Sequence, residues 1–267
     1  MRALEIRRSA GRFGMARIAS AVAPATAARI GPLELSTIDD PDCPGEGWHR
    51  VHTRLAGICG SDLSLVEGHA STYFDDYVSF PFVPGHEVVG ELDDGTRVIL
   101  EPVIGHAARG VTPPFPGAAP GDGDDYAHLA VTTADGAVEP GIQTGFCCST
   151  GGGWAPWFWA HESQLHRIDR DVESFPDERA VLVEPFAGGI HAALLAAPVV
   201  ADADAPVVAV LGAGTMGLAA VAGLRRYVPN VRIVVGARYP HQRELAKAFG
   251  ADVVAPATEL DRAVRRE

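Results

Sequence analysis

The chain has 267 residues and a formal net charge of −12 at pH 7, so it can bury a sizeable core in one large domain or two smaller ones. The negative charge argues against a general nucleic-acid or anionic-membrane binder, and no uncharged apolar run approaches the length of a membrane span. Four cysteines do not make a disulfide framework in a chain of this length, which predicts a cytoplasmic protein.

The first thirty residues are basic, with six arginines and a single acid, Glu5. Mitochondrial transit peptides share such a composition, and that alternative stays open. The opening segment "MRALEI" alternates apolar and polar residues, however, and the stretch lacks the serine richness of transit peptides. We therefore predict an edge strand at the start of the chain.

Short strands and turns are predicted over the first two-thirds of the chain. The segment "WHRVHTRLAGICG" alternates apolar and polar residues, and "WAPWFWAHESQLHRI" has the same character. The segment "HEVVGELDDGTRVIL" predicts a hairpin that closes at Asp94-Gly95. Residues 105–153 are rich in Gly, Pro and Asp and predict a long lobe without packed elements.

The pattern changes from about residue 177. Helical spacing in "DERAVLVEPFAGGIHAALLAA" is followed by a linker, "ADADAP", and then by alternating strands and helices from residue 207 onwards. Such alternation is typical of a parallel sheet covered by helices. We predict an α/β protein with a β-rich domain over residues 1–200 and a second domain over residues 201–267.

Three glycines follow the apolar strand "VVAVL" and open a helix: Gly212, Gly214 and Gly217 form G-x-G-x-x-G, with Thr215 and Met216 between the last two. In a dinucleotide-binding turn the first glycine permits the tight turn, the second lets the pyrophosphate approach and the third allows close helix packing. The phosphates would lie at the helix N-terminus, which favours negative charge. The alternative is a tight strand–helix turn that binds no ligand.

The end of the second strand predicts which dinucleotide binds. An NAD-binding domain places Asp or Glu about 20 residues after the glycines, to bind the ribose 2′-hydroxyl. This chain has Gly236-Ala237 there, followed by Arg238, with Arg243 one helical turn into the next element. A guanidinium can bind a 2′-phosphate through paired hydrogen bonds, so we predict NADP(H) over NAD(H). The alternative is that Arg238 is a solvated loop residue.

Cys59 and His86 are residue types that zinc binds, but a single buried cysteine is more often inert packing. Four motifs, in order, are more specific: "GICGSD", "PGHEVVGEL", "VEPFAGGIHA" and "VLGAGTMG". Together they closely resemble the zinc-containing medium-chain dehydrogenase/reductase family of alcohol and polyol dehydrogenases. The resemblance implies an N-terminal GroES-like β-barrel catalytic domain, followed here by the first half of a Rossmann domain with a doubly wound parallel sheet.

The resemblance also implies the metal ligands. Cys59 and His86 match two zinc ligands of the family, and Glu184 matches the glutamate that polyol-type members use as a third ligand, directly or through water. Glu184 replaces the cysteine of the alcohol-dehydrogenase branch, which favours the polyol-like branch. The alternative for Glu184 is an acid at a helix N-terminus, stabilised by the helix dipole.

Three further residues acquire roles through the same resemblance. Ser61 would pass the substrate proton towards solvent, and Asp62 would orient a metal ligand. Glu87 would be a carboxylate that can enter the zinc shell while water or product exchanges.

A second, structural zinc is not expected. The positions that carry four cysteines in many family members fall at Thr112, Phe115, Ala118 and Tyr126, and the adjacent pair Cys147-Cys148 cannot replace that spacing. Phe115 and Tyr126 are expected to hold the lobe by packing instead.

The predicted function is zinc-dependent hydride transfer between NADP(H) and a small alcohol or polyol, or the corresponding aldehyde or ketone. Family members usually continue past 300 residues, so the chain is expected to be a fragment; alternatively, a partner or homodimer supplies the missing surface. Two other functions stay open: a repurposed zinc- or nucleotide-binding protein without turnover, and a zinc-free quinone or enoyl reductase of the same superfamily.

Overall fold

The computed structural model describes residues 1–123, 126–228 and 230–267. The chain divides into two compact units, Met1–Val181 and Leu182–Glu267. The first unit contains the predicted β-rich region, and the second contains the predicted dinucleotide turn.

A five-stranded antiparallel sheet forms the centre of the first unit, with strand order β6-β3-β4-β5-β7. The predicted hairpin is confirmed, because β4 and β5 are antiparallel neighbours on either side of Asp94-Gly95. The strands are β3 (Trp48–Ala56), β4 (Val88–Leu92), β5 (Arg97–Leu100), β6 (Trp157–His161) and β7 (Leu165–Arg167). The core beside them consists of Val51, Val88, Leu92, Val98, Leu100, Phe158 and Ala160.

The N-terminal strand is confirmed as β1 (Arg2–Ile6), which pairs with β2 (Leu33–Thr37). Two helices that were not predicted connect them, α1 (Ala10–Val22) and α2 (Pro24–Ile30). Ser9 caps α1 by accepting a hydrogen bond from the Arg12 N–H. The basic N-terminal stretch is therefore a strand pair with a helical connection.

The lobe at residues 105–153 contains two short 3₁₀ turns but no strand among its described residues. Its core is formed by Ile104, Ala108, Val138 and Cys147. The buried guanidinium of Arg109 donates hydrogen bonds to the carbonyl groups of Ile104, Val131, Glu139 and Gly141. The Arg109 side chain therefore satisfies four carbonyl groups that form no hydrogen bonds within a helix or a sheet.

The expectation that Phe115 and Tyr126 pack the lobe is wrong. Each residue is 53% exposed. Arg109 and the small apolar core organise the lobe instead, so the two rings are not needed in its interior.

The second unit has the predicted succession of strands and helices. Its three strands are parallel, in the order β10-β9-β8, as the first half of a Rossmann sheet requires. The elements in chain order are α5 (Val183–Val200), β8 (Val207–Leu211), α6 (Thr215–Tyr227), β9 (Arg232–Ala237), α7 (Pro240–Ala248), β10 (Val253–Pro256) and α8 (Leu260–Val264).

The division between the units precedes the boundary predicted near residue 200. Helix α4 (Asp177–Ala180) belongs to the first unit, and α5 belongs to the second because it packs closely on α6. A Cβ atom at Gly223 would lie 2.8 Å from the Ala193 Cβ, so the two helix backbones nearly touch.

Among the described residues, one helical segment, Asp177–Val200, is long and apolar enough to cross a membrane by those two criteria alone. Core helices of soluble proteins meet the same criteria.

Candidate metal centre

Cys59 lies at the junction of β3 and α3 (Gly60–Val66), where it is the N-cap residue of the helix. Its backbone N–H donates a hydrogen bond to Asp62 Oδ2 over 2.9 Å. Asp62, in the first turn of α3, is only 1% exposed. The cap therefore fixes the thiol and the buried carboxylate relative to each other.

His86 and Glu87 lie immediately before β4. Gly85 precedes them at a φ of 98°, and a Cβ atom there would lie 2.6 Å from Trp154 Cδ1, so the turn requires glycine. Gly57 donates its N–H to the Glu87 carbonyl over 2.7 Å. A side chain at Gly57 would overlap the Glu87 carboxylate, which therefore occupies the space above the Gly57 backbone.

These turns bring three donor groups together. One ligand atom each from Cys59, His86 and Glu87 lies within 4.8 Å of the other two. Two donors bound to one zinc ion, at about 2.3 Å for sulfur and about 2.0 Å for nitrogen, are at most about 4.3 Å apart, so small side-chain rotations close the set. His86 is buried, whereas Cys59 and Glu87 are half-buried, so the cluster has a solvent-facing side.

The electrostatics of the cluster favour a cation. A hydrogen bond with His86 is the main cause of a lowered pKa for the Cys59 thiol; burial opposes it, and hydrogen bonds from Ser61 add to it. Burial raises the pKa of the Asp62 carboxyl, which His86 partly offsets. Asp62 Oδ1 is buried, accepts no hydrogen bond from the described residues, and lies 3.7 Å from His86 Nδ1. Zinc binds thiolate, imidazole and carboxylate groups, which this cluster provides. The Asp62 carboxylate lies behind the imidazole, as is usual for a histidine that binds a metal.

The other residues predicted for this site lie in two different helices. Ser61 is in the first turn of α3 and hydrogen-bonds to Cys59. Glu184 is in the first turn of α5, in the second unit, and its assignment as a third ligand stays a prediction. The expected absence of a structural zinc also stays a prediction.

The dinucleotide turn has the geometry that its glycines predict. Gly212 follows β8 at a φ of 100°, and Gly214 is the N-cap residue of α6 with open space around its Cβ position. A Cβ atom at Gly217 would overlap the Gly212 carbonyl oxygen. Thr215 and Met216 form the first turn of α6, and Met216 is half exposed.

Arg238 follows β9 directly and is exposed. Its guanidinium lies 5.3 Å from the ring centroid of Tyr239, the N-cap residue of α7. Arg243 lies in the first turns of α7 and is half-buried. Strand β9 thus ends with Gly236 and Ala237, and Arg238 follows. None of these three residues carries a carboxylate.

Several known proteins are similar to this chain in sequence or in fold. Residues 45–170 match the alcohol dehydrogenase GroES-like domain. The starvation-sensing protein RspB of Escherichia coli is 27% identical over 240 residues, which make up 83% of this chain and 59% of RspB. Sorbitol dehydrogenase of Bacillus subtilis is 28% identical over 249 residues, 86% of this chain and 59% of that enzyme. The alcohol dehydrogenase of Aeropyrum pernix has the same fold, with a TM-score of 0.64 at 20% identity over 97% of this chain and 65% of that one.

Residues 45–170 match the alcohol dehydrogenase GroES-like domain family, and the chain is similar over most of its length to a sorbitol dehydrogenase in sequence and to an alcohol dehydrogenase in fold. Its architecture is the GroES-like unit followed by a Rossmann-type unit that the family resemblance implied. The chain spans about three-fifths of the length of the curated relatives it matches, at 59% for both.

Two contacts in the first unit could not be predicted from the sequence. Trp154 Nε1 donates a hydrogen bond to the Gly57 carbonyl over 3.2 Å and so supports the turn beneath Glu87. The Phe146 ring lies 5.8 Å from the His86 ring, centroid to centroid. Both residues come from loops far along the chain, where neither periodicity nor motif spacing predicts a contact.

Proposed function

We propose that this chain carries the metal and cofactor sites of a zinc-dependent oxidoreductase, which transfers hydride between NADP(H) and an alcohol or polyol, or the corresponding aldehyde or ketone. The observation that carries the proposal is the convergence of Cys59, His86 and Glu87 donor atoms within 4.8 Å, in a chain that also forms a dinucleotide turn. Zinc supplies Lewis acidity, which lowers the pKa of a bound alcohol and polarises a bound carbonyl group.

The residues around the metal have distinct roles in this proposal. Cys59 and His86 bind the ion, and Asp62 holds the imidazole by facing its Nδ1 at 3.7 Å. Glu87 is a half-buried carboxylate at the solvent-facing side, available while water or product exchanges. The Ser61 hydroxyl, next to the Cys59 sulfur, passes the substrate proton towards solvent. We retain Glu184 as a third ligand.

The cofactor proposal rests on the second unit. Gly212, Gly214 and Gly217 leave the N-terminus of α6 open to a pyrophosphate, with the N–H groups of the first turn directed towards it. Arg238 and Arg243 bind the 2′-phosphate that distinguishes NADP(H), in the place where a carboxylate would bind the ribose of NAD(H).

The proposed metal and the names of the relatives support the substrate class. The name of the Bacillus subtilis relative, sorbitol dehydrogenase, specifies a polyol. A Lewis-acidic ion beside a hydroxyl relay fits the oxidation of an alcohol or the reduction of a carbonyl group equally well. We propose a small alcohol, polyol or carbonyl compound as the substrate, and the reducing cytoplasm as the compartment, because the four cysteines are free.

Metal analysis and a turnover assay test the proposal together. We expect about one zinc per chain, lost in Cys59→Ser, and oxidation of NADPH in the presence of an aldehyde, ketone or oxidised polyol from a substrate panel. NADPH binding without turnover would favour a repurposed binding protein. Turnover without zinc would favour a zinc-free reductase. Two zinc ions per chain would contradict the predicted absence of a structural site.

A further inference from the structure

A series of aromatic rings leads to His86 from the interior of the first unit. Phe82, which is 2% exposed, stacks on Phe146 with a centroid distance of 5.3 Å and an interplanar angle of 27°. Phe146 lies in turn 5.8 Å from His86 at an angle of 50°. The imidazole, itself 5% exposed, therefore has an aromatic ring beside it and the Asp62 carboxylate near its Nδ1.

The backbone of Phe146 is tied to the segment that carries His86. The Phe146 carbonyl accepts a hydrogen bond from the Ser79 N–H over 3.3 Å, and the Cys148 N–H donates to Ser79 Oγ over 2.9 Å. A Cβ atom at Gly145, whose φ is 87°, would lie 3.0 Å from the Gly85 carbonyl oxygen. The segment of residues 145–148 thus contacts the segment of residues 79–86 at both Ser79 and Gly85. These contacts leave Phe146 little freedom to move relative to His86.

The contacts of Asp62 and Cys59 with His86 involve the nitrogen atoms at the edge of the ring. The Asp62 carboxylate faces Nδ1 at 3.7 Å, and the Cys59 thiol forms a hydrogen bond with the imidazole. Metal affinity depends on ligand orientation, because a zinc ion binds the nitrogen lone pair in the plane of the ring. Packing of an aromatic ring against the imidazole also restricts its orientation, and Phe146 provides this contact at a centroid distance of 5.8 Å.

We propose that Phe146 is a positioning residue of the metal centre, whose ring fixes the plane of the His86 imidazole. The inference deepens the proposed function and rests on it. The alternative is that Phe146 only fills the hydrophobic cluster of Ile6, Leu65 and Phe82, on which it packs. Metal affinity separates the two roles, because simple packing affects the stability of the fold and leaves the ligand geometry unchanged.

The test compares Phe146→Leu with Phe13→Leu in the full chain. Phe13 is a half-buried member of the same cluster, and among the described residues it has no ring contact with His86. The zinc dissociation constant is measured by competition with a chromophoric chelator, and the visible absorption bands of the Co²⁺-loaded protein report ligand geometry. Thermal unfolding of the metal-free proteins gives the loss of stability. Phe146→Met, which retains more volume without a ring, repeats the measurement if the leucine variant unfolds.

We expect Phe146→Leu or Phe146→Met to weaken zinc binding about tenfold and to change the Co²⁺ spectrum. Phe13→Leu is expected to lower thermal stability to a similar extent while leaving both metal readouts at wild-type values. Wild-type affinity and spectrum in the Phe146 variants would overturn the inference, as would an equal loss of affinity in Phe13→Leu. A wild-type chain that binds no zinc would contradict the proposed function as well, so the two failures are distinguishable.

Discussion

At the scale of single residues, Asp62 lies next to both Cys59 and His86, the two residues that we propose as zinc ligands in the first unit. Its Oδ2 accepts the Cys59 N–H over 2.9 Å, and its Oδ1 faces His86 Nδ1 at 3.7 Å. The carboxyl is buried, which raises its pKa, and Oδ1 receives no hydrogen bond from the described residues. A buried acid in this state destabilises the metal-free fold unless a nearby cation compensates for its charge.

Asp62→Asn tests this arrangement. Asparagine keeps an acceptor for the Cys59 N–H but carries no charge towards His86. We therefore expect zinc affinity to fall about 10–100-fold, with the free energy of unfolding of the metal-free protein unchanged or raised. Chelator competition and urea denaturation in EDTA measure the two quantities. Asp75→Asn, on an exposed segment, is the control, and wild-type zinc affinity in Asp62→Asn would contradict the role of the carboxylate.

At the same scale, the proposed preference for NADP(H) depends on Arg238. We expect Arg238→Asp to lower the ratio of NADP to NAD affinity about 10–100-fold, because a charge-assisted hydrogen bond to the 2′-phosphate is lost and a like charge replaces it. Fluorescence titration with NADPH and NADH measures the ratio. Arg262→Asp makes the same charge change at an exposed position in α8 and is expected to leave the ratio unaltered. An unchanged ratio in Arg238→Asp would mean that Arg238 is a solvated loop residue.

At the scale of elements, the glycines between β8 and α6 have different roles. Gly217 is needed for packing, because any side chain there overlaps the Gly212 carbonyl oxygen. Gly214 has open space at its Cβ position and an ordinary φ of −82°. The structure thus tolerates a methyl group at one position but not at the other.

Paired alanine substitutions exploit this difference. Gly217→Ala is expected to lower the free energy of unfolding by about 1–3 kcal/mol, because the helix must move away from the strand. Gly214→Ala is expected to keep wild-type stability but to weaken NADPH binding, because the methyl group occupies the approach of the pyrophosphate. Urea denaturation and NADPH titration are the measurements. Full NADPH affinity in Gly214→Ala would contradict the placement of the phosphates.

Asp177, the first residue of α4, attaches this helix to the sheet of the first unit. Its carboxylate accepts hydrogen bonds from Arg54 Nε on β3, over 2.9 Å, and from Arg97 Nη2 on β5, over 2.5 Å. Partial burial raises the pKa of the Asp177 carboxyl, but the hydrogen bonds from the two guanidinium groups outweigh it, so the pKa is lowered overall. The ion pairs therefore stabilise the folded state when Asp177 is charged.

The sign of the pH dependence follows from this depressed pKa. The contribution of Asp177 is fully present above the unfolded pKa of about 3.9, and it is lost as the pH falls through the lower folded value. We expect Asp177→Asn to lower the free energy of unfolding by about 2 kcal/mol at neutral pH. The difference from wild type is expected to shrink below about pH 4. Urea denaturation across pH 3–7 measures it, and a difference that grows on acidification would contradict the assignment.

The elements differ in how far the sequence predicts them. Strands β8 to β10 and the helices between them were predicted because apolar runs such as "VVAVL" form the parallel strands and glycines mark the turn. Helices α1 and α2 were not predicted. Only Ala16 of α1 is buried, while Ile18 and Val22 are 73% and 85% exposed, so the apolar residues of α1 do not mark a core-facing stripe. The lobe itself was predicted, but the expected packing by Phe115 and Tyr126 was wrong, since the buried Arg109 organises the lobe.

At the scale of the whole molecule, the chain combines two units whose tasks can be measured separately. The first unit has its own sheet, core and cluster of Cys59, His86 and Glu87, and the second has a parallel sheet with the glycine-rich turn. The sequence predicted the cluster through family motifs, because Cys59 and His86 lie on different turns that only the fold brings together. The contribution of Phe146 and Trp154 depends on loop packing, which no local pattern encodes.

All of the proposed chemistry depends on a zinc ion bound to Cys59, His86 and a carboxylate. Zinc K-edge X-ray absorption of the purified full chain tests it most directly. We expect one sulfur neighbour at about 2.3 Å and nitrogen or oxygen neighbours at about 2.0–2.2 Å, with the sulfur signal absent in Cys59→Ser. A protein without zinc, or a zinc spectrum with no sulfur neighbour, would contradict it.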